Sequence, residues 1–598
     1  MHTKHVYTIT LLATIASLAS LVQGQTVRYV RGNAPAGGNG LTWATAYNTV
    51  GAALAAAAPG SELWVANGTY TASSANYAFV IPSGVSLYGG FVGTETTRDG
   101  RNARSFLTIL SGTTNKTVLA FQHVQGALVD GFKISNGVGY GKFETVSPPT
   151  GSFHPGGGAQ IDGASVTLRN CWFDGNTASP ASHVGAPPSE IGEGGAVFIR
   201  GSSAVFENCT FSNNRGSESV SLCQAGHPTV YIGAGGGGAI SSHNSTVTVV
   251  GSTFKANSAG NGWGAFVCQS TDSWVNSGPG ASGGAILASG GFLTVDRCVF
   301  ALNRSGYGGG GGQWSGTHCY GFDAASGKGG AIRMSAGVAS ITNSLFIGNV
   351  APGHATGLCS NGLGGAGGAI HSDSAATIAS CTFVSNTATG VVGGIGGAIT
   401  GTSSSVSNCV FWDNVDGSGN AVSAQVGNIS ASAVSHSIVQ GAPAGFGSAN
   451  LNLNPLFLNP LGPDNILGTA DDRFDLAITS PAIDAGNNSL YSGSALDLAG
   501  NARFFDVLNV PDTGTGTAPI IDIGSYEFSR CPADLDNGSG TGTSDNAVTI
   551  DDLLYFLGAF EAGVFAADLD NGTATGVLDN AVTIDDLLFF LVRFEIGC

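Results

Sequence analysis

Apolar and polar residues alternate along most of this chain in short segments that end at Gly or Asn. The segments 164–168 and 247–249 are examples, with apolar side chains at every second position. A period of two between turn residues predicts short β-strands, because successive side chains of a strand point to opposite faces. Apolar runs that predict a pair of helices follow near the C-terminus, after residue 550.

The strands belong to a motif that recurs seven times. Each copy has Gly-Gly-Ala, a Phe 13 to 15 residues after that Ala, a Cys or Ser two residues before the Phe and an Asn three residues after it. The Phe residues are Phe173, Phe211, Phe254, Phe300, Phe346, Phe383 and Phe411. The Asn residues are Asn176, Asn214, Asn257, Asn303, Asn349, Asn386 and Asn414. A unit this short cannot bury its own apolar face. We therefore expect successive units to stack as coils of a parallel β-solenoid.

Stacking in register predicts a role for each repeated residue. The Phe side chains and the small Cys or Ser side chains would form ladders inside the coils, and the Asn side chains would bond backbone amides at the corners. Five cysteines occupy ladder positions: Cys171, Cys209, Cys298, Cys381 and Cys409. We expect their thiols to be small buried hydrophobic groups, because stacked neighbours lie parallel and suit packing better than bridging.

The N-terminus carries the features of an export signal. Lys4 and His5 precede an apolar run over residues 6–22, and small residues follow it. This predicts a signal peptide over residues 1–24 and a secreted, extracellular or cell-surface protein. In that environment the 11 cysteines of the chain are free to oxidise.

The repeats and the segment before them resemble known proteins. Gly-Gly-Ala-Ile together with Phe-x-x-Asn resembles the repeats of polymorphic outer-membrane proteins, a family of surface adhesins. The segments 41–44 and 64–70, with an Ala-rich stretch at 50–58 between them, are similar to the start of pectin-lyase-like bacterial proteins. The resemblance implies an all-β, right-handed parallel β-helix over residues 25–453, with a helix at 50–58 that shields the first coil.

Long irregular loops connect each ladder Asn to the next Gly-Gly-Ala, and stacking would bring them out at one corner. Their aromatic side chains either bind sugar rings or a partner surface, or pack on one another. The candidate ligand-binding residues are Tyr231, Trp263, Trp274, Trp314 and Tyr320. The loops also carry one Cys per successive repeat, which predicts the disulfides Cys223–Cys268 and Cys319–Cys359.

Residues 454–530, here called the closing segment, contain no copy of the repeat. The stretches 480–486 and 522–528 resemble the end of many secreted bacterial β-helix proteins. Such a segment is expected to cap the last coil and hide its open edge. Asp464, Asp471 and Asp472 lie around Gly468 and offer ligands for a cation, but solvated acids of a turn are the preferred interpretation.

Residues 531–598 contain a duplication with an offset of 34 residues, and they hold 12 acidic residues against one basic residue. Asp534-Leu-Asp536 recurs as Asp568-Leu-Asp570, and each copy ends in Asp-Asp before an apolar run that predicts a helix. So many carboxylates would repel one another unless a hard cation neutralised them. Oxygen ligands that end just before a helix favour Ca²⁺.

This duplication resembles a dockerin, a small all-α module that binds two calcium ions and docks into cohesin-like receptors. By position, the resemblance implies as ligands Asp534, Asp536, Asp545, the carbonyl of Ala547, Thr549 and Asp552. The second loop would use Asp568, Asp570, Asp579, the carbonyl of Ala581, Thr583 and Asp586. Each loop runs 19 residues where the usual loop has about 12, with the extra residues between the third and fifth ligand positions. Cys531 and Cys598 would bridge the ends of the module.

Charge and domain plan together define the expected function. The net charge of −18 repels phosphate backbones, which argues against a nucleic-acid partner. We therefore expect a surface-attached β-helix that displays a loop-built face for adhesion or glycan binding. The alternative is a polysaccharide lyase or glycoside hydrolase delivered by the same docking module. The repeat register offers no facing pair of carboxylates, which a hydrolase would need.

Overall fold

The computed structural model describes residues 26–596, apart from a number of stretches within that range. The stretches left out are 72–76, 113–115, 140–152, 155, 180–190, 223–229, 263–265, 269–272, 276–277, 310–313, 316–317, 320–323, 354–363, 391–393, 402–403, 508–509, 529–531, 544–547, 571 and 573–580. The predicted signal peptide lies outside the described residues. Most of the described chain forms parallel strands stacked coil on coil, and the fold is therefore a parallel β-helix.

Two long parallel sheets form the wall of this β-helix in the described part of the chain. The first sheet contributes two consecutive stretches to each coil, and its 19 strands are Val27–Val30, Glu62–Ala66, Tyr77–Val80, Ser86–Phe91, Thr117–Gln122, Gln125–Asp130, Ala159–Asp162, Ser165–Arg169, Val197–Arg200, Ser203–Glu207, Ile240–Val250, Ile286–Asp296, Ile332–Thr342, Ile370–Ser372, Ala375–Ala379, Ile399–Gly401, Ser404–Ser407, Val426–Gly427 and Val434–Ser435. The second sheet closes each coil, and its 11 strands are Gly68–Thr71, Thr108–Ser111, Phe132–Ser135, Trp172–Asp174, Thr210–Ser212, Thr253–Lys255, Val299–Ala301, Leu345–Ile347, Thr382–Val384, Val410–Trp412 and Ile438–Val439.

Short strand pairs and four α-helices complete the described elements. Two further pairs are parallel, Phe153–His154 with Ile191–Gly192 and Val350–Ala351 with Thr387–Ala388. The antiparallel pairs are Val220–Leu222 with Val230–Ile232, Phe266–Cys268 with Ser273–Val275, Trp314–Ser315 with His318–Cys319, and Phe457–Asn459 with Arg473–Leu476. The helices are α1 (Val50–Ala56), α2 (Val422–Gln425), α3 (Ile550–Ala562) and α4 (Ile584–Ile596). Single 3₁₀ turns lie at Arg98–Gly100, Ala431–Ala433, Asn488–Leu490 and Phe565–Ala567.

Neighbouring coils pair in the register of the sequence repeat. In the second sheet Phe211 lies opposite Phe173 on one side and Phe254 on the other. In the first sheet Ile240 lies between Val197 and Ile286 in the same way. The predicted stacking of equivalent positions is therefore confirmed.

The seven repeated Phe side chains form one continuous column inside the β-helix. All are fully buried, with adjacent ring centroids 4.6–5.0 Å apart and ring planes within 7° of parallel. This spacing is close to the separation of strands in a sheet, about 4.8 Å, so each ring stacks directly on the ring of the next coil.

The repeated Asn side chains form a second column, held by hydrogen bonds. Asn257 is representative: its Oδ1 accepts from the amide of Asn214 at 3.1 Å and from Asn214 Nδ2 at 2.9 Å. Its own Nδ2 donates to the carbonyl of Phe211 and to Asn303 Oδ1, both at 2.9 Å. Each buried corner is thereby satisfied by side chains of the coils above and below it.

The Gly-Gly-Ala motif is set by two separate backbone requirements. The first glycine adopts the left-handed region, for example at φ +71° in Gly283. The second has no room for a side chain: a Cβ on Gly284 would lie 1.9 Å from the carbonyl oxygen of Gly330 in the next coil. Both positions therefore need glycine in every coil that stacks closely.

The five ladder cysteines are buried free thiols, as predicted. Burial raises the pKa of the Cys298 thiol to about 12, so it stays protonated and unreactive. Each disulfide predicted from the sequence includes at least one cysteine outside the described residues, so those three bridges stay predictions.

Both ends of the coil stack are covered by chain. Thr49 caps α1 by accepting from the amide of Ala52 at 3.2 Å, and Val50, Ala53 and Leu54 pack into the main core. At the other end Gln425 of α2 ends the Asn column. Among the described helices, none has the length and hydropathy to cross a membrane.

The closing segment packs against the outer face of the second sheet. Phe474 lies in a cluster with the outward residues Ala301, Leu345 and Ile347, and further along Ile483 packs with Val410 and Ile438. These outward positions are apolar, whereas earlier coils carry Lys133, Ser135, Asp174 and Ser212 there. The segment thus covers the later coils and leaves the outer face of the earlier ones open.

Residues 532–596 form the predicted pair of helices, here called the helix pair. Phe556 of α3 and Phe590 of α4 stack at 4.0 Å between ring centroids, and both are fully buried. Ala533, Ala559 and Ala567 complete this separate core. The small core explains why α3 and α4 are both amphipathic.

We predict that replacing Asn257 with Ala lowers the stability of the β-helix by about 3 kcal/mol, because buried partners in two neighbouring coils lose their hydrogen bonds. Lys255→Ala is the matched control, since this side chain is exposed in the same coil. Urea unfolding followed by β-sheet circular dichroism measures both variants. Equal midpoints for the two variants would contradict the role given to the Asn column.

Candidate functional site

A groove of about 780 Å³ lies on the open part of the second sheet, beside the 3₁₀ turn Arg98–Gly100. Strand residues form its floor, and the chain that follows the turn forms one wall. Its lining residues are Asp99, Arg101, Asn102, Ala103, Arg104, Leu107, Gly131, Phe132, Lys133, Asn170, Cys171, Trp172, Asn208 and Thr210. The volume is in the range of pockets that hold small ligands or a few units of a polymer.

Trp172 and Lys133 form the most ordered part of this groove. The Nζ of Lys133 lies 3.8 Å from the Trp172 ring centroid and 2.9 Å from Asp174 Oδ2. Trp172 Nε1 donates to Ser212 Oγ at 2.7 Å, and Ser212 Oγ donates to Asp174 Oδ1 at 2.8 Å. The indole is thus fixed at both ends while 37% of the residue stays exposed. A planar aromatic group held in this way is a ready-made stacking surface.

The pKa of Asp174 reflects this arrangement. Burial disfavours its charged form, but the hydrogen bonds from Lys133, Ser212 and Asn213 outweigh that effect and lower the pKa of Asp174. The carboxylate therefore stays ionised and, through its ion pair with Lys133, fixes that side chain over the indole.

Arg101 is fixed on the other side of the groove. Its guanidinium donates to the carbonyl of Gly89 at 3.0 Å and lies 2.9 Å from Asp130 Oδ1. It also lies over the ring of Tyr88, 5.2 Å from the ring centroid. Arg98 lies 5.1 Å from the same centroid. The groove therefore combines a fixed aromatic ring with oriented charged donors and acceptors.

None of these groove residues was identified from the sequence. One signal was available: Trp172 and Lys133 occupy outward positions of their strands, where a large aromatic side chain is unusual. The five loop residues predicted to bind a ligand were Tyr231, Trp263, Trp274, Trp314 and Tyr320. Trp263 and Tyr320 lie outside the described residues, and for the other three only the backbone strand is described. Their role stays a prediction.

In the helix pair, the last predicted calcium ligand of each loop lies in the first turn of a helix. Thr549 is the N-cap of α3, and Asp552 completes a capping box with it. Asp552 Oδ1 accepts from the amides of Leu535 and Asp536 at 2.6 and 2.8 Å, and Oδ2 accepts from the Thr549 amide at 2.7 Å.

The second loop repeats this geometry at the same distances. Asp586 Oδ1 accepts from the amides of Leu569 and Asp570 at 2.6 and 2.8 Å, and Oδ2 accepts from the amide of Thr583 at 2.7 Å. Burial opposes ionisation here, but these amides outweigh it and lower the pKa of Asp586. The sequence duplication is therefore a duplication of structure at both helix starts.

The described ligand candidates fit a hard cation by their chemistry. The six carboxylates are each at most 2% exposed: Asp534, Asp536, Asp552, Asp568, Asp570 and Asp586. Thr549, Ala581 and Thr583 are exposed, and Asp545, Ala547 and Asp579 lie outside the described residues. Buried carboxylates with spare lone pairs are the donors that Ca²⁺ prefers. The two-ion assignment itself stays a prediction.

Among the described residues, two groups of three carboxylates bring one oxygen of each residue within 4.8 Å of the others, and neither group belongs to the helix pair. Asp464, Asp471 and Asp472 form the first, and turn donors surround it: Ile466 donates its amide to Asp464 Oδ1 at 2.7 Å. The second consists of Asp484, Asp506 and Asp512 in the same closing segment.

Asp484 has an unusual environment for a carboxylate. It is fully buried, and its pKa is raised to about 6 by burial and by the negative charges of Asp512 and Asp506. The amide of Val507 has a smaller effect and lowers this pKa. Among the described residues, no donor has both the distance and the angle of a hydrogen bond to either carboxylate oxygen of Asp484.

Comparison with known proteins adds limited information. The family described as "Protein of unknown function (DUF1565)" matches residues 30–262, less than half of the chain. No curated protein matches the chain.

Three solved structures of low similarity align with large parts of it. Pectate lyase Pel9A is 15% identical with a TM-score of 0.30, covering 84% of this chain and 96% of its own. A rhamnogalacturonan lyase is 12% identical with a TM-score of 0.35, covering 76% and 97%. The Yersinia enterocolitica family 28 exopolygalacturonase is 9% identical with a TM-score of 0.20, covering 63% and 75%. At such scores the fold assignment depends on the strand pairing of this chain itself.

We predict that Asp586→Asn destabilises α4 by about 2 kcal/mol, because an amide cannot accept from all the donors that surround this carboxylate. Asp585→Asn is the control: it removes one charge from the same helical turn at an exposed position. Hydrogen exchange of the α4 amides, followed by mass spectrometry on the full chain, measures the difference. Equal exchange in the two variants would contradict the assigned capping role.

Proposed function

We propose that this chain is an extracellular β-helix protein that binds a polysaccharide in the groove around Trp172. The observation that carries the proposal is the half-exposed indole, fixed by Ser212 and backed by Lys133, on the open face of the second sheet. Sugar rings present flat C–H faces that stack on such a surface, and hydroxyl groups bind to fixed charged side chains.

The surroundings of the indole suit a polymer rather than a small enclosed ligand. The groove lies on a sheet whose coils continue on both sides, and Arg101 lines it together with Lys133. Arg104 adds a third cationic side chain to the lining, although the chain as a whole carries a net charge of −18. Carboxylated sugars would gain from these cations.

Cleavage of the bound polysaccharide is the second candidate function. A lyase that acts on uronic acids needs a cationic group beside the sugar carboxylate and a base near the proton to be removed. Lys133 and Arg101 place such cations within the groove. Lys133 is ion-paired with Asp174, which suits neutralisation of a sugar carboxylate better than proton abstraction.

We further propose that the helix pair binds two calcium ions and docks to a cohesin-like receptor on a cell surface or an extracellular complex. Apolar side chains repeat on the outside of both helices with matching exposure. The pairs are Ile550 and Ile584 at 60% each, Leu554 and Leu588 at 62% and 55%, and Leu557 and Leu591 at 42% and 41%. Exposed apolar groups in such number favour a docking surface.

The loop aromatics offer a second location for the same binding function. If they supply the main contact, Trp274→Ala would weaken binding and groove variants would not. The two locations are thus separated by the same binding assay.

We predict that Trp172→Ala weakens binding of the preferred polysaccharide by about ten-fold or more, as expected for a central aromatic anchor. Lys133→Ala should weaken it most for carboxylated polymers. Lys255→Ala is the control, because it removes an exposed cation of the same sheet outside the groove. Affinity electrophoresis over a panel of neutral and acidic polysaccharides makes the measurement.

Product analysis on the same panel decides between binding and cleavage. New reducing ends without unsaturated uronic products would indicate hydrolysis, and unsaturated uronic products would indicate a lyase. Unchanged binding in Trp172→Ala and Lys133→Ala would overturn the groove assignment, and no binding to any polymer would overturn the function.

We predict that chelation of calcium unfolds the helix pair while the coils stay folded, because the buried carboxylates of both loops would then repel one another. Limited proteolysis of the full chain should cut within residues 532–596 only after chelation. Resistance to cleavage in chelator would contradict the calcium assignment.

A further inference from the structure

Asp484, Asp506 and Asp512 form a group of ligands for a cation that lies apart from the helix pair. One carboxylate oxygen of each lies within 4.8 Å of the others. Asp484 is buried at the base of the group, and Asp506 and Asp512 are exposed around it. This arrangement leaves a path from solvent to the buried carboxylate.

The buried carboxylate lacks the partners that its position requires. Neither oxygen of Asp484 has a hydrogen-bond partner among the described residues. A buried carboxylate without donors or a cation is strongly unfavourable. In the neighbouring group, by contrast, Asp464 Oδ1 accepts from the Ile466 amide and Asp472 Oδ2 accepts from the Gly468 amide. That group is satisfied by its own turn.

Backbone bonds hold Asp484 and Asp512 next to each other independently of any ligand. The carbonyl of Asp484 accepts from the amides of Thr513 and Gly514, both at 2.9 Å, which fixes Asp512 next to it. The amide of Asp484 donates to Asp522 Oδ1 at 2.7 Å. Asp484 itself adopts φ +50°, a conformation that costs energy for a side-chain-bearing residue and turns this part of the chain sharply.

The nearby buried cation does not neutralise this group. Arg503 is fully buried, and its Nη2 donates to the carbonyls of Asp522 and Gly524 at 2.6 and 2.7 Å. Its Nη1 lies 3.6 Å from Glu527 Oε2. The described polar contacts of the Arg503 guanidinium are therefore with Glu527 and two carbonyl groups, and none of them is with a carboxylate of this group.

We propose that Asp484, Asp506 and Asp512 bind a divalent cation, with calcium as the preferred ion. The ligands are all carboxylate oxygens, the donor type of hard cations, and Asp506 and Asp512 are exposed, so further oxygen ligands from solvent can complete the irregular coordination of calcium. The ion would join residues 480–486 to residues 506–512 and so fasten the closing segment over the later coils.

Two measurements on the full chain test the proposal: the number of calcium ions bound, and the midpoint of thermal unfolding with and without calcium. Asp484→Asn and Asp512→Asn should each bind one ion fewer than the unmodified chain in equilibrium dialysis against calcium. Calcium should raise the midpoint of the β-sheet transition in the unmodified chain but not in these variants. Asp464→Asn is the control: it removes an exposed carboxylate of the other group and keeps an oxygen for the Ile466 amide.

The count separates this site from the two predicted in the helix pair, which all three variants retain. Asp512 is exposed, so Asp512→Asn decides the matter if Asp484→Asn does not fold. An unchanged count and an unchanged calcium effect in Asp512→Asn would overturn the proposal. Loss of an ion in Asp464→Asn alone would place the site in the other group and overturn it as well.

Discussion

The column of buried Asn side chains is the constraint on which the rest of the architecture depends. Asn303 Nδ2 donates to the carbonyl of Phe254 in the preceding coil and to Asn349 Oδ1 in the next coil, both at 2.9 Å. Because no water reaches these groups, only the same side chain at the same place in the next coil can satisfy them. The column ends where Gln425 accepts from Asn414 Nδ2 at 2.8 Å and donates back to the Asn414 carbonyl.

Because the inward positions of every coil are needed for packing, the coils differ in the residues that they carry on the outer face. Later coils of the second sheet carry apolar side chains outward, such as Leu345 and Ile347, and the closing segment covers them through Phe474. Earlier coils carry Lys133 and Trp172, which no part of the closing segment is seen to cover in the described structure. Outward apolar residues thus mark the coils that contact the closing segment. The exposed indole of Trp172, which is held in place by its neighbours, marks the face that is left for a ligand.

The repeated residues could be predicted from the sequence because every coil imposes the same demand on Phe254 and Asn257. The groove could not, because coil closure brings Arg101 from a loop into the groove with Lys133, and Trp172 is a single aromatic residue in a column where other coils have Ile, Lys, Thr, Val or Leu. The same limit applies to Asp484. Its neighbours in space are set by backbone bonds between distant parts of the closing segment, and no local spacing encodes them.

The acidic residues of this chain are better distinguished by their donors than by their number. Asp586 accepts from three backbone amides, so its charge is stabilised by the helix start and the loop before it. Asp464 accepts from an amide of its own turn. Asp484 has neither kind of partner and is the more deeply buried of these last two. A cation would therefore add most to the fold at Asp484, whose two oxygens have no hydrogen-bond partner among the described residues, although the helix pair contains many more carboxylates.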